Sequence, residues 1–126
     1  MSDPIPARPI FALRLAQARA RAGLSQAQLG VLAGLEPEVA SPRINQYERG
    51  VHEPRSETAR RLSEALGIPP ALLYTEDETL AQLLLTWVDL KPAQRRDLLK
   101  QAQAAVPASK RKSSSKKDSS KPSGSE

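Results

Sequence analysis

Cysteine is absent from the chain, which excludes disulfides, thiolate catalysis and cysteine-based zinc sites. Histidine occurs once, at His52, with no second imidazole or thiol to make a metal site, so an exposed loop residue is the plainer reading. Aromatic residues are scarce: Phe11, Tyr47, Tyr74 and Trp87. Stacking on single-stranded bases needs aromatic platforms and is not expected as the main mode of action. No apolar run approaches the roughly eighteen residues of a membrane span, and the N-terminus lacks the apolar core of a signal peptide. A soluble protein with no membrane partner is expected. Acid pairs, nucleophile–base sets and glycine-rich phosphate loops are also missing, so neither an enzyme nor a cofactor is expected.

What is present is charge, unevenly placed. The net charge is +5 over 126 residues. From Pro107 to the end there is no large apolar residue, and six lysines and arginines face two acids. Such a stretch cannot bury enough surface to offset the entropy of ordering it, so residues 107–126 read as a disordered basic tail. Residues 8–61 carry nine arginines against five glutamates, whereas residues 62–106 carry four basic and six acidic residues. The N-terminal half is therefore the candidate surface for a polyanion.

Almost every segment reads as helix. Residues 10–22 place Ile10, Leu13, Ala16 and Ala20 on one stripe, stopped by Gly23. Ser25-Gln26-Ala27-Gln28 is a capping box that opens a short helix, about 26–33. Residues 36–50 form a third helical region, ended by Gly50 and containing two prolines. Ser41-Pro42, a hydroxyl N-cap followed by proline at the first helical position, is the better start signal. A fourth helix opens at Ser56-Glu57 and closes at Gly67, and a brief turn follows at residues 69–74. Thr75-Glu76-Asp77-Glu78 reads as another capping box. Leu80, Leu83, Leu84, Trp87 and Val88 then recur at i, i+3, i+4, i+7 and i+8, a strong amphipathic helix. Leu98, Leu99, Ala102 and Val106 mark a second, and the two together suggest a helical hairpin.

A short helix, a glycine-containing turn and a second short helix form a helix-turn-helix pattern. The residues Gly23-Leu24-Ser25-Gln26, Gln28-Leu29, Gly34-Leu35, Ile44 to Gly50, Pro54, Leu62, Leu66-Gly67-Ile68 and Leu72-Leu73 resemble the Xre/Cro-type (lambda-repressor-like) family over residues 11–74. The resemblance implies an all-α fold. A flexible arm spans 1–8, a five-helix DNA-binding domain 9–75, a hairpin 76–106 and the disordered tail 107–126. It further implies a core of Leu13, Leu24, Leu29, Leu32, Ile44, Tyr47, Leu62, Leu66 and Leu72, and a small residue at Gly30 where two helices approach. It implies a structural ion pair of Arg19 with Glu48, and phosphate contacts from Ser25 and Gln26 at a helix start and from Arg49, His52 and Arg55. The expected protein is a cytoplasmic, nucleoid-associated bacterial regulator, a repressor that binds double-stranded DNA as a homodimer.

One departure from the family pattern affects the site. Three or four extra residues stand between Gly34 and Ile44, and Glu36-Pro37-Glu38-Val39 looks inserted. Either the turn is lengthened and the recognition helix starts at Ser41, or the helix gains an extra N-terminal turn broken at Pro42. An interior Pro42 would remove a helical hydrogen bond, so the lengthened turn, with a helix starting at Ser41, is expected. That helix presents Ser41, Arg43, Asn45 and Gln46 away from Ile44 and Tyr47. Arginine suits guanine O6 and N7, and asparagine or glutamine suits adenine N6 and N7. The stripe Leu80, Leu83, Leu84, Trp87 and Val88 is expected to make the dimer. The alternative is that hairpin 76–106 binds a protein partner, as in an antitoxin or an antirepressor-controlled module.

Overall fold

The computed structural model describes residues 8–110, and each of its elements is helical. They are α1 (Ile10–Ala22), α2 (Gln26–Leu32), α3 (Pro37–Arg49), α4 (Ser56–Leu66), a 3-10 turn (Pro70–Tyr74), α5 (Glu78–Val88) and α6 (Pro92–Ala105). No helix among the described residues is long and apolar enough to cross a membrane. The expected arm up to Ala7 and the tail beyond Lys110 lie outside the described residues.

Local chemistry sets most boundaries. α1 ends where Gly23 turns left-handed at φ 72°, letting its N–H reach the Ala20 carbonyl while the Leu24 N–H reaches that of Arg19. Ser25 caps α2: its hydroxyl accepts from the Gln28 N–H at 3.0 Å, and the Ser25 N–H donates to Gln28 Oε1 at 2.8 Å.

The recognition-helix candidate starts earlier than the sequence suggested. α3 begins at Pro37, with Glu36 as its extended N-cap, and Pro42 lies inside it. Proline at the first helical position carries no amide to orphan. The first turn then buries Ala40 completely. It does so against Gly30 of α2, where even one added Cβ would stand 2.6 Å from the Ala40 Cβ. This close packing holds the turn that Pro42, which cannot donate to the Glu38 carbonyl, would otherwise weaken.

The core joins Phe11, Leu15 and Ala18 of α1 to Leu29, Ile44, Tyr47, Leu62, Leu66, Ile68, Leu72 and Leu73. Each fully buried leucine contributes about 1.5–3 kcal/mol. Two leucines expected in the core are exposed, Leu13 at 37 % and Leu32 at 61 %, and Leu24 is only half-buried. α1 carries two apolar stripes of the same period, and the one with Phe11 and Leu15 faces inward because it offers the larger side chains.

The described residues divide into two compact units between Asp89 and Leu90. α5 thus belongs with the first unit rather than with a module beginning at residue 76, and its Ala81 is buried in the core. Its N-cap is Asp77, whose carboxylate accepts from the Leu80 N–H at 2.9 Å, and not the expected Thr75. The Thr75 hydroxyl is already spent on the Ala71 carbonyl at 2.6 Å. Its carbonyl accepts from Arg14 Nε at 2.8 Å, and Arg14 also donates to the Glu76 carbonyl and to Glu78 Oε1. Arg14 is therefore buried yet fully engaged. In the second unit, α6 starts at Pro92 and buries none of its side chains.

Candidate nucleic-acid interface

The interface is built on two faces of α3. Its inner face, Ala40, Ile44, Tyr47 and Glu48, is buried. A carboxylate in that position is costly unless paired, and Glu48 is paired twice. Arg19 Nε donates to Glu48 Oε2 at 2.5 Å and Arg19 Nη2 to Glu48 Oε1 at 3.1 Å, a two-pronged fork from α1. A third nitrogen, Nη1, donates to the Leu24 carbonyl at 2.9 Å. The hydrogen bond from Arg19 to Glu48 raises the guanidinium pKa above its ordinary value, and burial opposes this only in part.

Gln26 extends the same network from α2. Its amide nitrogen donates to Glu48 Oε1 at 3.1 Å and to Asn45 Oδ1 at 3.3 Å, while the Ser41 hydroxyl reaches its oxygen at 3.5 Å. Three residues expected at the DNA surface, Gln26, Ser41 and Asn45, are thus brought together and are half-buried. They lock the register of α2 against α3. The Ser25 hydroxyl, likewise, is used as the α2 cap.

The remaining candidates lie on the outer side of α3 and in the loop after it. Arg43, Gln46, His52 and Arg55 line one open cleft with Tyr47, Glu53, Pro54 and Thr58, between α3 and the loop after it. Arg43, Arg49, His52 and Arg55 are exposed, and Gln46 is half-buried. This cleft places three basic-type side chains beside an amide that can pair with a purine edge.

Sequence reading missed the outer face of the first two turns. Glu36, Glu38, Val39 and Pro42 are all exposed there, on or beside the helix rather than on a loop. The signal was present: Glu36-Pro37-Glu38 places proline at the first helical position and an acid in the first turn, which the helix dipole favours. Arg14 was missed too, because its partners are carbonyls more than sixty residues away.

Comparison with known proteins fits this geometry. A helix-turn-helix family model matches residues 15–73. Among solved structures, the crystal structure of the transcriptional regulator BswR is 41 % identical, with a TM-score of 0.70, over 74 % of this chain and 92 % of that one. A comparison with curated proteins finds no match. The chain belongs to the Xre/Cro-type (lambda-repressor-like) helix-turn-helix family of DNA-binding transcriptional regulators.

Proposed function

We propose that the protein represses transcription by binding a specific double-stranded DNA site as a homodimer, with α3 of each copy in the major groove. The observation that carries this reading is the contrast between the two faces of α3. The inner one is fixed by the Arg19–Glu48–Gln26 network, and the outer one carries an exposed Arg43 and a half-buried Gln46 that lines the open cleft. A helix so held can offer its side chains to base edges without reordering. Arg49, His52 and Arg55 are the phosphate contacts in this reading, and Ser41 and Asn45 support the base contacts. The dimer is assigned to α5, where Leu80, Leu83 and Trp87 are 46 %, 41 % and 36 % exposed and Leu84 and Val88 are half-buried beside them.

Specificity and bulk affinity should separate along the chain. Binding of the full chain to its selected site and to scrambled DNA, titrated at several salt concentrations, tests this. Arg43→Ala and Gln46→Ala are each expected to relax preference at one or two positions, at about 1–3 kcal/mol per bidentate pair. Deleting residues 107–126 removes six cations and is expected to weaken binding to all sequences alike. It should also flatten the log–log salt slope by about 0.9 for each phosphate that the tail no longer neutralises. Two point mutants with unaltered preference would refute the base-reading assignment.

A further inference from the structure

We propose that the first two turns of α3 carry a second specificity determinant, an apolar ridge of Val39 and Pro42, with Val39 set against the 5-methyl group of a thymine. The proposal rests on the DNA-reading role of α3 given above and adds a different chemistry to it.

Placement is the first argument. Val39, Pro42, Arg43 and Gln46 stand at i, i+3, i+4 and i+7, and so share one face of the helix. That face lies beside the buried one, with Tyr47 lining the same cleft as Arg43 and Gln46. Val39 is 40 % exposed, and Pro42 is exposed beside it. Ala40, the next residue, already supplies the packing of this turn onto Gly30, so the fold makes little use of the valine side chain. A recognition helix meets base edges chiefly with its N-terminal residues, and the start at Pro37 puts Val39 in the first turn.

Charge supplies the second argument. Glu36 and Glu38 flank the ridge and are both exposed. Phosphate repels both carboxylates, so they turn away from the duplex, and the side chains this end has left to offer a base edge are Val39 and Pro42. In the major groove the apolar feature among the base edges is the thymine methyl group. Pro42 has no N–H to offer a base or a phosphate, and its ring can only widen the apolar contact.

The test uses the full chain and a site selected from a random duplex pool. Each thymine of that site is replaced singly by deoxyuridine, which removes only the methyl group. Wild-type binding is expected to weaken about four-fold at one thymine, the value of one buried methylene-sized group. Val39→Ser should bind the thymine and deoxyuridine forms equally at that position, while Val39→Ile keeps the discrimination. Val39 is on the surface, and matching melting curves will show that both variants fold. A wild type indifferent to every thymine methyl overturns the proposal, as does a Val39→Ser variant that keeps the full discrimination. Either result leaves the reading of Arg43 and Gln46 standing. A full chain that selects no sequence from the pool removes that reading, and this proposal with it.

Discussion

Gly30 shows how one side chain, by its absence, positions the interface. It lies in α2 with no left-handed backbone requirement, so its need is space alone: an added Cβ would meet the Ala40 Cβ at 2.6 Å and its Cα at 2.9 Å. Gly30→Ala would gain about 1 kcal/mol of helix propensity. The clash involves backbone and a rigid methyl, so the helices must part, at roughly 1–3 kcal/mol or more in a close-packed site. The clash is expected to win by up to about 2 kcal/mol, lowering Tm by roughly 4–8 °C for each net kcal/mol and weakening operator binding beyond the loss of folded protein. Thermal melting with binding titration on the folded fraction checks this, and a variant as stable as wild type would show that the two helices have slack. The same residue-scale logic explains Glu48. Buried and forked by Arg19, it cannot be removed without stranding a guanidinium, so its role is to hold α3 rather than to touch a base.

At the scale of elements, α5 does two jobs on two faces. Ala81 is buried, and Leu84 and Leu85 pack against the core, whereas Leu80 and Leu83 are exposed. This revises which leucines of the amphipathic stripe can serve a partner copy. Leu80→Glu with Leu83→Glu is expected to give monomers without unfolding the first unit. Sedimentation of the double mutant, beside its circular dichroism, decides it: an unchanged dimer mass, or a wild type already monomeric, removes α5 from the interface.

Helix ends closed by Gly23, Gly50 and Gly67 were legible in the sequence, since a left-handed glycine is a local preference. So was the cap at Ser25. The start of α3 was not. Pro37 and Pro42 each give a plausible first position, and the choice is made by Ala40 meeting Gly30, a contact no local rule contains. The inward stripe of α1 and the engagement of Gln26 with Asn45 and Glu48 escaped for the same reason: both are settled by what lies across the interface.

For the molecule as a whole, the proposed function would have the concentration of arginine in residues 8–61 supply attraction without address, and α3 the address. α1 connects these to α5. Arg14 grips the carbonyls of Thr75 and Glu76 and the carboxylate of Glu78, while Arg19, five residues on, grips Glu48 of α3. Those two anchor points are about 7.5 Å apart along a rigid helical axis, not joined through a loop. In a dimer seated on α5, that beam acts as a ruler. On that proposed arrangement the separation of the two half-sites, near one duplex turn or a multiple of it, would be set by protein geometry rather than by the DNA. One base pair inserted between half-sites is therefore expected to weaken binding at least about ten-fold, because it shifts and rotates one recognition helix relative to its groove. Gel-shift titration of operators differing only in spacer length measures this, and equal affinity across spacers would mean that the ruler bends.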